Sequence, residues 1–93
     1  MSGDAELTLV LYGRRQCHLC DLAERELAVL RQAGAAEWQL RCVDVDTSPE
    51  LAARYGLRVP VLRCPDGSEL DWPFRAAQIR RALGAGAAGG SAS

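Results

Sequence analysis

The stretch Leu7-Thr8-Leu9-Val10-Leu11-Tyr12-Gly13-Arg14-Arg15-Gln16-Cys17-His18-Leu19-Cys20 joins an apolar run to a pair of cysteines. The run is short and almost wholly apolar, as expected of a strand buried on both faces. Gly13 to Gln16 then reads as a loop, and from His18 to Gln32 the pattern becomes helical. Leu19, Ala23, Leu27 and Leu30 fall on one stripe, with Leu22 and Val29 beside it. A Cys-x-x-Cys pair at such a strand-to-helix junction suits thiol chemistry. The first cysteine meets the unpaired N–H groups and positive dipole end of the helix, which favour a thiolate. The second lies one turn on, within reach for a disulfide. This makes Cys17 the expected nucleophile and Cys20 the expected resolving thiol.

Outward from that pair, Gly34 is the expected helix stop. Trp38 to Val45 reads as a second strand. Ser48 and Pro49 form a helix start, with Ser48 as N-cap and Pro49 in the first turn, and the helix runs to Tyr55. Leu57 to Cys64 reads as a third strand. Pro65-Asp66-Gly67-Ser68 is a tight turn into a fourth strand, Glu69 to Trp72. Pro73 to Leu83 is expected to be the last helix, with Ala76, Ile79 and Leu83 spaced for burial. Residues 84–93 contain only Gly, Ala and Ser and are expected to form a disordered tail, leaving 1–83 as the domain. Residues 1–5 read as a loose lead-in. The order strand-helix-strand-helix-strand-strand-helix predicts an α/β fold: a four-stranded mixed sheet with helices on both faces. Both strand-helix-strand crossovers imply parallel pairing, and the closing hairpin adds an antiparallel strand.

Composition excludes several classes. The formal net charge is -1 from eleven arginines dispersed among twelve acids, so no basic cluster is present to hold nucleic acid. No apolar run approaches the roughly 20 residues of a membrane span. The N-terminus is acidic where a secretory signal is basic. A reducing cytoplasmic setting is therefore expected, in which the four cysteines are thiols or ligands and not a disulfide framework. No metal site is assigned.

With these elements in place, the chain resembles a glutaredoxin-like protein of the thioredoxin superfamily. The resemblance spans residues 7–83 and rests on Cys17-His18-Leu19-Cys20, on Val59-Pro60 at the third strand and on the element order. It is similar above all to small bacterial glutaredoxin-like proteins with His-Leu between the cysteines. The resemblance implies a thioredoxin-like fold and a thiol–disulfide oxidoreductase serving cell redox homeostasis. It also implies a cis Val59–Pro60 bond beside the pair, with Val59 offering backbone groups to a substrate cysteine. Arg58 stands where glutaredoxins carry Thr, and Asp71-Trp72-Pro73-Phe74 replaces their glycine-rich turn. No cofactor is expected. Glutathione stays open as a reductant, and the expected partner is a disulfide-bearing protein or a low-molecular-weight thiol. The chain is expected to be a monomer.

Other residues near the pair are weighed individually. His18, the single histidine, favours the neighbouring thiolate when protonated, or is simply exposed at the helix start. Arg14 and Arg15 add positive potential or meet a substrate carboxylate, or are solvated in their loop. Asp21 and Glu24 act oppositely, since nearby carboxylates raise a thiol pKa. Cys42 and Cys64 are expected in strands or core. A bond between them is disfavoured, because two strand spacings are roughly 9–10 Å and bridged Cα atoms lie within about 7 Å. Two other functions use the same pair: a Cu(I) or Zn carrier bound through both thiolates, and an interaction module that keeps the fold without turnover.

Overall fold

Leu9 and Leu11 point to one side of a strand while Val10 and Tyr12 point to the other, and the whole molecule is layered on that alternation. The computed structural model describes residues 7–34 and 38–88, the last five of these as backbone. The expected lead-in at residues 1–5 lies outside them. The elements are β1 (Leu7–Gly13), α1 (His18–Gln32), β2 (Trp38–Asp44), a 3-10 turn (Val45–Thr47), α2 (Pro49–Tyr55), β3 (Val61–Arg63), β4 (Glu69–Asp71) and α3 (Ala76–Ala88). They form one mixed four-stranded sheet of order β2-β1-β3-β4.

The first crossover is parallel, with Leu7 opposite Trp38 and Gly13 opposite Asp44. The second is not. β3 runs antiparallel to β1, with Tyr12 opposite Val61 and Val10 opposite Arg63, which corrects the expectation of two parallel crossovers. Length explains it. The seven residues of α2 rise only about 10 Å, whereas a seven-residue strand spans about 23 Å. The chain therefore re-enters the sheet at the end where β2 left it. β3 and β4 then pair as the expected hairpin. Gly67 supplies the positive φ of 92° at its turn, and Asp66 Oδ1 accepts the Ser68 N–H at 2.9 Å.

One core packs Leu9, Leu11 and Leu62 of the sheet against Ala23, Leu27 and Leu30 of α1 and Ile79 and Leu83 of α3. The other packs Tyr12 and Val61 against Tyr55 of α2 and Val45, with Leu51 alongside. Helices thus cover both faces. Gly34, at φ 68°, ends α1 and donates its N–H to Arg31 O at 3.1 Å. Ser48 caps α2 through its Oγ, 3.4 Å from the Leu51 nitrogen.

β2 and β4 each end one residue earlier than expected, at Asp44 and Asp71, and two elements differ by more. β3 is shorter than Leu57–Cys64 because Arg58 and Val59 donate their N–H groups back to Tyr55 O, at 2.8 and 3.0 Å, and Pro60 has none. Those amides close the end of α2 and are lost to the ladder. The last helix starts at Ala76, not Pro73. Arg75 O accepts its first helical bonds from Gln78 and Ile79, and Glu26 of α1 accepts the Ala76 N–H at 2.8 Å. That carboxylate takes up one free N–H at the positive dipole end, and the Gln78 side chain accepts the Arg75 N–H at 3.0 Å. The helix also continues through Ala88 where a tail was expected from residue 84. Alanine is the strongest helix former and offsets the two glycines there. The remainder of the expected tail, 89–93, lies outside the described residues. No helix among the described residues is long and apolar enough to cross a membrane.

Candidate active site

Cys17 is the N-cap of α1. Its backbone is extended (φ -112°, ψ 107°), and its sulfur accepts the Cys20 N–H at 3.1 Å. Oxygen usually fills this role. Sulfur here takes the same amide, and any negative charge it carries is met by the positive end of the helix. Cys17 is half-buried, whereas Cys20 is only 6% exposed. The two are joined in a disulfide with Cα atoms 5.2 Å apart.

Room for Cys20 comes from Gly13. A Cβ at that position would lie 2.9 Å from the Cys20 sulfur, so any side chain there must displace it. This contact was not foreseen from sequence, where Gly13 reads only as the loop's first residue. His18 and Leu19, between the cysteines, face solvent.

Arg14 is committed within the fold. It holds Asp46 in a fork, Nε to Oδ2 at 3.2 Å and Nη2 to Oδ1 at 3.0 Å, while Nη1 donates to Gly56 O at 3.0 Å. It therefore ties the cysteine loop to the end of α2. Arg15 is exposed and is not engaged in this way. Val59 is half-buried, Pro60 is fully buried and the bond between them is cis, as is Trp72–Pro73. Because Val61 lies opposite Tyr12, Pro60 comes one register step later, level with Gly13. The Cys17 loop and the Val59-Pro60 segment thus share one end of the sheet.

The Val59 segment is braced from β4. Arg58 reaches Glu69 at 3.2 Å and Asp71 at 2.8 Å. The Tyr55 hydroxyl donates to Glu69 Oε2 at 2.6 Å, and its ring stacks on Tyr12 with centroids 4.1 Å apart. Burial, then the bond to Glu69, pushes the Tyr55 hydroxyl up to about 12. That bond and Arg58 hold the Glu69 carboxyl below its usual range. A lowered carboxyl contributes stability above its unfolded pKa of about 4.3 and loses it as pH falls through the lower folded value. Tyr55→Phe should therefore cost on the order of 1 kcal/mol at neutral pH. The gap from the parent should narrow in acid, as urea unfolding at both pH values would show.

A groove of about 430 Å³ opens behind the disulfide, where Cys20, Gly13 and Arg15 meet Glu24 of α1 and Cys42 of β2. It adjoins a second groove of about 390 Å³ that shares Glu24 and Cys42 and is walled by Trp38, Leu40 and Leu27. Arg31 lies 4.0 Å over the Trp38 ring there. Cys42 is in a strand as expected but is exposed, since β2 is the sheet edge and the groove opens above it. Partial desolvation, then the Glu24 charge, pushes its thiol up. Cys64 is buried and also raised, chiefly by burial. Neither is bonded to the other. Glu24 was weighed from sequence only as a charge near the pair; its place in the groove follows from the i, i+4 spacing to Cys20.

Comparison with known proteins agrees with this arrangement. A family model described as Glutaredoxin-like domain (DUF836) matches residues 8–84. An X-ray structure of a structural-genomics target protein from X. campestris is 49% identical, covering 83% of this chain and 96% of that one, with a TM-score of 0.68. A solution structure of a protein from Nitrosomonas europaea is 32% identical over 82% of this chain and 88% of that one, with a TM-score of 0.67. Chloroplastic thioredoxin z, at 22% identity over 89% of this chain and 80% of that one and a TM-score of 0.63, shares the fold. No curated protein matches the sequence. With the cysteine pair capping α1 of a β2-β1-β3-β4 sheet, and the family model spanning nearly every element, the chain belongs to the glutaredoxin-like domain family, on a thioredoxin-like fold.

Proposed function

We propose that the protein is a thiol–disulfide oxidoreductase cycling Cys17 and Cys20 between dithiol and disulfide. The observation that supports it is the asymmetry of the pair: Cys17 half-buried at the helix cap, Cys20 one turn in and 6% exposed, and the two close enough to bond. The Cys17 thiolate attacks a substrate disulfide, a mixed disulfide forms, and Cys20 displaces the substrate thiol. Val59 presents main-chain groups to the incoming cysteine segment, in the manner of an added strand. Arg15, exposed two residues before Cys17, supplies positive charge there, and His18 is exposed between the cysteines. The partner is a disulfide-bearing protein or a low-molecular-weight thiol, and the setting is the cytoplasm, with the protein acting as a monomer.

A Cys20→Ser variant tests the order of events. It should stall as a stoichiometric mixed disulfide at Cys17, seen as an added mass equal to the substrate thiol. Offering glutathione disulfide and a protein disulfide in parallel distinguishes the two partner classes. No adduct with either, or an adduct on Cys42 alone, would overturn the reading.

A further inference from the structure

Cys20 has a difficulty that Cys17 does not. It must lose a proton to act, yet in the disulfide-bonded fold it is only 6% exposed, with its sulfur against Gly13. Burial disfavours a thiolate. The groove behind it is lined by Cys20 together with Glu24 and Cys42.

The charged and titratable groups facing this groove come from each element around it. From the loop, Arg14 is engaged with Asp46 and Gly56, while Arg15 is exposed. From β2, Asp44 Oδ1 accepts the Asp46 N–H at 2.9 Å and caps the 3-10 turn. Cys42 is a thiol raised above its ordinary value. From α1 comes Glu24, one helical turn after Cys20 on the same face, and it makes no ion pair or hydrogen bond among the described residues. The Glu24 charge is felt across the groove, where it raises Cys42.

We propose that Glu24 is the proton acceptor for Cys20, directly or through one groove water, when Cys20 resolves the mixed disulfide. This rests on the oxidoreductase reading above. The Cys20 S–H bond breaks and its proton passes to the Glu24 carboxylate. The sulfur electron pair forms the bond to Cys17, the bond from Cys17 to the substrate sulfur breaks, and the substrate leaves as a thiolate. Glu24 then returns its proton to solvent or to that thiolate, so the net change is mixed disulfide plus Cys20 thiol giving the Cys17–Cys20 disulfide plus a free thiol. Charge explains why a carboxylate that opposes a neighbouring thiolate helps here. Proton transfer neutralises Glu24 as Cys20 becomes negative, so the groove never holds both charges.

The test uses single-turnover reaction of reduced protein with one equivalent of a bis(nitrobenzoate) disulfide, whose thiolate is coloured, in a Cys42→Ser background. Attack by Cys17 releases the first thiolate and resolution by Cys20 the second. Glu24→Gln should leave the first phase no slower, since it removes a charge that opposes the Cys17 thiolate, and slow the second roughly ten- to hundredfold at neutral pH. Its pH profile should move to higher pH, and Glu24→Asp should restore part of the rate. A second phase as fast as the parent's, or faster, would overturn the role of Glu24 while leaving the oxidoreductase intact. Absence of the first phase in the parent would instead overturn the oxidoreductase itself.

Discussion

Replacing Cys17 by serine should lower disulfide exchange at least about a thousandfold, the scale of loss when a catalytic nucleophile is removed. The cause is chemical and not architectural. A hydroxyl at the same atom does not ionise near neutral pH, so the helix N-terminus has no anion to stabilise. Serine is itself a favoured N-cap, and it can accept the Cys20 N–H that the Cys17 sulfur now takes at 3.1 Å. The reduced variant should therefore melt close to the reduced parent. Turnover with a disulfide substrate and a melting curve on the same sample separate the two effects. A Cys17→Ser protein that keeps more than a tenth of the rate would reassign the attack to another thiol.

The largest expected loss of stability is at Phe74. It is the bulkiest of the fully buried side chains, at 0% exposure, and meets Trp72 edge-on with ring centroids 5.2 Å apart. It belongs to the core that unites α1, α3 and the sheet. Phe→Ala in such a position costs about 3–5 kcal/mol, from lost transfer energy and the cavity left behind. A domain of this size has roughly 5–15 kcal/mol in total, and each kcal/mol moves the melting temperature by about 4–8 °C. Phe74→Ala should thus lower Tm by roughly 15–30 °C in a circular-dichroism melt. A fall below about 5 °C would show that the core does not depend on this ring.

Phe74 also shows where local sequence signals stop. Asp71-Trp72-Pro73-Phe74 reads as the end of a strand and the start of a helix, because Pro favours a first turn. In the fold it is an irregular passage that drives one ring into the core, and the helix waits for Arg75 and for the Glu26 carboxylate from another element. The bounds of α1, in contrast, were legible from its first residue to its last, since Gly34 and most of its apolar stripe are local; Leu19, expected on that stripe, is instead 43% exposed and Cys20 takes the buried place. So were the strand at Leu7, the Ser48 cap and the Pro65–Ser68 turn. The direction of β3 was not, because it depends on how far α2 carries the chain against the length of β2. Within the site, the Cys17–Cys20 pair and its helix-cap geometry could be read from spacing. The Asp46 partner of Arg14 and the approach of Cys42 to Cys20 and Glu24 could not, because they arise between segments distant in the chain, and the gap at Gly13 depends on how the loop folds the strand end back onto the helix.

Between Val10 and Tyr12, β1 is hydrogen-bonded on both edges, to β2 on one side and to β3 on the other. Among the described residues, the outer edges of β2 and β4 have no such neighbour. Opening fluctuations in a sheet begin at its outer strands, and the doubly paired centre exchanges its amide protons last. The loop bearing Cys17 therefore springs from the slowest-opening segment of the molecule. In the proposed cycle, electrons enter and leave the sulfur pair many times over while the amides of Val10, Leu11 and Tyr12 keep the same protons.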